Sequence, residues 1–81
     1  MLCLQVTHFA DECLDMKIDY PGNDIGNVND ISSVFACQAL CQETVGCVGF
    51  GLMTQWKICM RKYAFGDSKP HDGLISGPKY C

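Results

Sequence analysis

Cys37-Gln38-Ala39-Leu40-Cys41-Gln42-Glu43-Thr44-Val45-Gly46-Cys47-Val48-Gly49-Phe50 decides the architecture. The first half has helical spacing: Val34, Cys37, Leu40, Cys41 and Thr44 fall three or four residues apart and share one face. Ser32 or Ser33 supplies a hydroxyl to cap the N-terminus, and Gly46 supplies the left-handed stop. The spacing predicts a helix over about 34–44 with both cysteines facing inward, one turn apart. The second half changes period. Val48, Phe50 and Leu52 alternate with Cys47, Gly49 and Gly51, which is a strand pattern. The glycines leave one face bare, and the helix is the expected occupant of that space.

Working toward residue 81, Thr54-Gln55-Trp56 reads as a hairpin connection. Lys57 to Tyr63 alternates again, with Ile58 and Met60 opposite Cys59 and Arg61. Residues 66–73 read as a loop, and 74–81 as a last short strand. Working toward residue 1, Leu14, Met16, Ile18 and Tyr20 alternate as a strand with one face buried. Pro21-Gly22-Asn23-Asp24 is a turn signal, followed by an Asn-, Gly- and Asp-rich loop to Asp30. Residues 1–12 show no firm period and read as a leader or linker, leaving 13–81 as the domain.

The chain has 81 residues, 48% of them hydrophobic, which suits one small folded domain rather than a disordered tail. Seven cysteines at this length indicate a disulfide-held secreted domain, because so short a chain builds only a modest core. No apolar run approaches the ~20 residues of a membrane span, so membrane insertion is not expected. Met1 to Leu4 is too short for the apolar region of a signal peptide. The secreted reading makes this chain an excised piece of a longer protein, with Met1 supplied by expression. Net charge is −3. Residues 1–31 hold six acids and one base, while 32–81 hold three acids and five bases. Nucleic acid, which needs a strongly basic face, is not an expected partner. The two parts are expected to lie against each other with their charges partly offset. No N-glycosylation sequon is present.

Several chemistries are set aside on spacing. Gly66-Asp67-Ser68 has the look of a serine-protease nucleophile segment, and His8 and His71 are present, but Lys69 follows and the chain is too short to align a triad with its oxyanion hole. No catalytic residue is assigned. The cysteines from Cys37 onward are separated by three, five, eleven and twenty-one residues, which forms no paired zinc knuckle. The stretch 23–30 lacks the alternating ligands and closing Glu of a calcium loop. Neither a metal nor a cofactor is expected. Sugar binding fits better: it uses an aromatic face with a few charged or amide groups. Trp56, Tyr63, Phe65, His71 and Tyr80 fall in the C-terminal half, with Lys62, Asp67 and Asp72 nearby. The ligand-binding candidates are Lys62, Tyr63, His71, Trp56 and Asp72. The competing structural role has Tyr63 and Tyr80 packed on the sheet, Trp56 capping a hairpin, and Lys62 solvated at a strand edge.

Counting leaves on the order of 100 cysteine connectivities open. Six segments in order nevertheless make the chain resemble a PAN/apple domain. They are Cys13; Tyr20-Pro21-Gly22-Asn23-Asp24-Ile25; Cys37 to Gln42; Cys47-Val48-Gly49-Phe50; Cys59-Met60-Arg61-Lys62; and Ser76-Gly77 ahead of Cys81. The resemblance covers residues 13–81. It implies an α+β fold, a curved antiparallel sheet with one packed helix. It also implies disulfides Cys13–Cys81, Cys37–Cys59 and Cys41–Cys47, with Cys3 unpaired or linked outside the set. It is nearest to the tandem apple repeats of apicomplexan, Eimeria-type, microneme adhesins. The function so implied is noncatalytic: one unit of a tandem array in a secreted adhesin, released through the microneme. Such a unit binds another secreted protein or a host-cell glycan during attachment. The recognising segments are expected to be the loops 21–30 and 65–73. The alternatives are an apple domain of a blood-contact-phase serine protease of the factor XI or prekallikrein type, and a structural spacer repeat.

Overall fold

The computed structural model describes residues 13–81. Their order is β1 (Asp15–Asp19), β2 (Asp24–Val28), α1 (Val34–Glu43), β3 (Gly49–Met53), β4 (Ile58–Lys62) and β5 (Lys69–Pro78). The strands form one antiparallel sheet in the order β1-β5-β3-β4-β2, with α1 packed on one face. Ser33 caps α1, its Oγ accepting from the backbone N–H groups of Phe35 and Ala36 at 3.2 and 3.3 Å. Thr44 closes the helix, donating its hydroxyl to the Leu40 carbonyl at 2.7 Å, and Gly46 takes φ 85° as the chain turns toward β3.

The core lies between α1 and the sheet: Cys37, Cys41, Cys47, Phe50, Leu52 and Cys59, flanked by Leu14, Val28, Ile31, Val34 and Leu40. Disulfides join Cys37 to Cys59, Cys41 to Cys47 and Cys13 to Cys81. Cys37–Cys59 therefore pins the helix to β4, Cys41–Cys47 ties it to the segment entering β3, and the third joins residues 68 apart. Cys3 and the leader lie outside the described residues.

The bare glycine face does not receive the helix. Phe50 and Leu52 point toward α1, so the alternation turns Gly49 and Gly51 to the opposite side. There the Phe65 ring lies on Gly49, and Leu74 and Met60 close over Gly51, each 3.3 Å from where a Cβ would sit. A Cβ at residue 49 would overlap the Phe65 ring and come within 2.7 Å of the Gly77 carbonyl oxygen. Gly49→Ala is therefore expected to lower stability by about 1–3 kcal/mol, read from urea unfolding, because a backbone carbonyl cannot move aside as a side chain does. An unchanged midpoint would show that the ring and β5 shift freely.

Three further expectations are corrected. The segment expected to be a loop to Asp30 contains β2, whose weak strand propensity yields to pairing with β4 at Asp24↔Lys62, Gly26↔Arg61, Asn27↔Met60 and Val28↔Cys59. The loop expected over 66–73 is shorter, because β5 begins at Lys69 and pairs with Asp19 and Ile18 of β1. In β1 the alternation breaks at Lys17, which has φ 61° at a register shift, and Met16 is left exposed instead of buried. Ser76, buried on β5, spans this irregularity by donating its hydroxyl to the Ile18 carbonyl at 2.7 Å.

Candidate functional site

Lys62 is the last residue of β4, and alternation places it on the face away from α1. It is 2% exposed, not a solvated edge lysine. Lysine is almost never so buried without a partner. Its Nζ donates to Asp24 Oδ1 at 2.5 Å and to the Gly22 carbonyl at 3.1 Å. Asp24 is the first residue of β2, and Gly22 lies in the turn between β1 and β2. Gly22 and Asn23 take φ 82° and 60° there, a left-handed pair that glycine and asparagine tolerate. The turn is tied to the sheet a second time, since Tyr63 donates its backbone N–H to the Asn23 carbonyl at 3.0 Å. Asp24 sits opposite Lys62 in the register, and its side chain stays 39% exposed. Among the described residues this is the one ion pair, and it joins the acidic part of the chain to the basic part.

An aromatic pair borders the ion pair. Tyr20 and Phe65 have ring centroids 4.7 Å apart at 52°, and Phe65 lies on Gly49, the β3 register partner of Lys62. The Tyr20 hydroxyl donates to Asp15 Oδ2 at 2.9 Å. That hydrogen bond, then burial and the Asp15 charge, hold the phenol above its ordinary range. Tyr63, 56% exposed, stands just beyond β4. The arrangement offers an accessible carboxylate held by a buried ammonium, beside aromatic rings. Chemically, such a set can accept hydrogen bonds from hydroxyl groups and pack against apolar C–H faces.

The five residues named from sequence do not form one cluster. Lys62 belongs to this site, and Tyr63 joins it through its backbone N–H on the Asn23 carbonyl. Trp56, 64% exposed, sits in the β3–β4 turn beyond the other end of β4, a strand about 13 Å long. His71 and Asp72, both exposed, directly precede Gly73, whose carbonyl accepts the N–H and hydroxyl of Thr54 in that same turn. Tyr63 and Tyr80 are exposed rather than packed on the sheet. Sequence reasoning placed Gly22 and Asp24 in a recognising loop, 21–30, without naming either as a ligand residue, and did not name Tyr20 as one. Their signal was the Tyr20-to-Asp24 turn itself, but its tie to Lys62 spans 38 residues and has no local pattern.

On the helix face, Arg61 Nη1 donates to Thr44 Oγ1 at 3.0 Å, which sets the cation at the negative end of α1. Its Nη2 takes the space left by Gly26. Among the described residues, no three metal-binding side chains converge, and no helix is long and apolar enough to cross a membrane.

A family model for the PAN domain matches residues 18–66, well over half of the chain, and takes in both the Tyr20-to-Asp24 turn and Lys62. The chain belongs to the PAN domain family. Solved structures share its fold. A PAN module from Eimeria tenella is 27% identical, with TM-score 0.62, covering 85% of this chain and 80% of that one. The two N-terminal apple domains of Toxoplasma gondii microneme protein 4 are 25% identical, with TM-score 0.72, covering 83% of this chain and 42% of that one. The TgMIC4-A5 complex with lacto-N-biose is 24% identical, with TM-score 0.74, covering 83% of this chain and 96% of that one. A comparison with curated proteins found no match.

Proposed function

We propose that this PAN domain is a noncatalytic recognition module of a secreted, microneme-type adhesin, and that it binds a host-cell glycan where Asp24 and Lys62 meet Tyr20, Tyr63 and Phe65. The observation that carries the reading is the buried Lys62 ammonium fixing a partly exposed carboxylate. With Asp24 held in place, a sugar hydroxyl finds an acceptor already oriented, and little side-chain freedom is lost on binding. The neighbouring rings supply faces for the sugar's C–H groups. The lacto-N-biose of the Toxoplasma complex belongs to that protein; for this chain the support is its own geometry. Extracellular placement is supported by the three disulfides and by the family.

The test is a glycan array with the oxidised domain and a reduced control. Selective binding to galactose- or sialic-acid-terminated sugars, lost on reduction, is the expected result. Tyr63→Ala should then weaken it about tenfold, the scale of one aromatic contact. A blank array from a folded sample would overturn the glycan reading. It would leave protein assembly, which the exposed Phe35 of α1 and Val45 just beyond it favour.

A further inference from the structure

The three disulfides differ sharply in access. Cys37, Cys41 and Cys59 are fully buried and Cys47 nearly so, whereas Cys81 is exposed and Cys13 half-buried. Thiol–disulfide exchange needs a thiolate to reach a sulfur along the S–S axis, so access alone favours attack on the Cys13–Cys81 bridge. A second observation concerns the sulfur that would leave. Gln38 is buried on α1, and its Nε2 donates to Cys81 Sγ at 3.3 Å while also bonding the Pro78 carbonyl at 3.0 Å. The second bond fixes the amide, so the donor to the sulfur is already in place. A hydrogen bond to sulfur favours its thiolate form, and a better-stabilised thiolate leaves faster.

We propose that Cys13–Cys81 is a thiol-exchange site that an external dithiol opens selectively, with Gln38 stabilising the leaving sulfur. One thiolate of the dithiol attacks Cys13 Sγ. The S–S bond breaks, and its electron pair goes to Cys81 Sγ beside Gln38 Nε2. The second thiol of the dithiol, deprotonated, then displaces Cys13 as a thiolate. The reagent leaves as a disulfide, and the domain gains two electrons and, once both sulfurs are protonated, two protons. The bridge matters to the sheet because Cys13 immediately precedes Leu14 and β1, an edge strand that leads through Tyr20 to the Gly22–Asp24 turn. Opening it loosens the chain that carries the Lys62 acceptors.

The experiment uses the folded chain with Cys3→Ser, so that every thiol detected comes from a bridge. Dithiothreitol is added without denaturant, samples are quenched with N-ethylmaleimide over time, and the labelled cysteines are mapped by mass spectrometry. A two-thiol species labelled at Cys13 and Cys81 is expected to form at least about tenfold faster than any other. Amide hydrogen exchange in that species should rise in β1 and at Tyr63, and stay slow in β3. Labels spread evenly over the bridges, or direct passage to the fully reduced chain, would overturn the site. Gln38→Leu tests the leaving-group role by the sign of its effect. Slower opening by several-fold supports it, whereas faster or unchanged opening would reduce Gln38 to packing. The labelling order in the Cys3→Ser chain stands whether or not the Gln38 variant folds.

Discussion

Replacing Cys37 and Cys59 together by alanine should lower the stability of the domain by about 4–5 kcal/mol. The bridge closes a loop of sequence separation 22, for which the chain-entropy estimate is about 3 kcal/mol. Both sulfurs are buried against Phe50 and Leu52, so their removal also opens the core and adds about 1–2 kcal/mol. A domain of this size has roughly 4–12 kcal/mol in total. The Cys13–Cys81 bridge, with its separation of 68, has the larger entropic term, about 4 kcal/mol, but it lies outside the core cluster. Urea unfolding of the double variant, followed by circular dichroism, gives the measurement. A loss below about 1 kcal/mol would mean that core packing holds α1 to the sheet without the bridge.

The parts of this fold that were legible in the sequence have a local period. The helix from Val34 and the strands holding Phe50, Leu52 and Cys59 were marked by three-to-four and two-residue spacing, and the helix cap by Ser33. Strand β2 was not legible, because Asp24-Ile25-Gly26-Asn27-Val28 has turn-forming composition and becomes a strand only through its partner β4. The side taken by the glycines was hidden for a related reason. Alternation shows that Gly49 and Gly51 share a face, but which layer covers that face depends on where Phe65 and Leu74 return. The candidate site divides in the same way. Lys62 and Tyr63 were visible as residue types, and the Tyr20-to-Asp24 segment as a turn. Only the long-range register places Asp24 opposite Lys62, and the same register separates Trp56 from them.

Asp24→Ala and Lys62→Met should affect stability very differently, although they break the same ion pair. In Asp24→Ala the ammonium, 2% exposed in the native domain, keeps only the Gly22 carbonyl as acceptor and loses its counter-ion. Losing one partner of a buried pair typically costs about 3–5 kcal/mol. The 39% exposure of Asp24 means that water already screens part of the attraction, which brings the expected loss to about 2–3 kcal/mol. In Lys62→Met the buried charge disappears, an unbranched apolar chain fills its path beside Met60, and Asp24 turns to solvent. The change in stability should then stay within about 1 kcal/mol. Urea midpoints of the two single variants and the double variant make a complete cycle: in the double variant the loss from Asp24→Ala should largely vanish, because no ammonium remains to be stranded. Equal losses in the two single variants would instead mean that the turn geometry, not the buried charge, sets the energy. Glycan affinity separates the roles again. Both variants should lose it, Asp24→Ala by removing the acceptor and Lys62→Met by releasing a carboxylate that must be ordered anew for each sugar. A Lys62→Met chain with near-native stability and no binding would identify Lys62 as a positioning residue acting through Asp24.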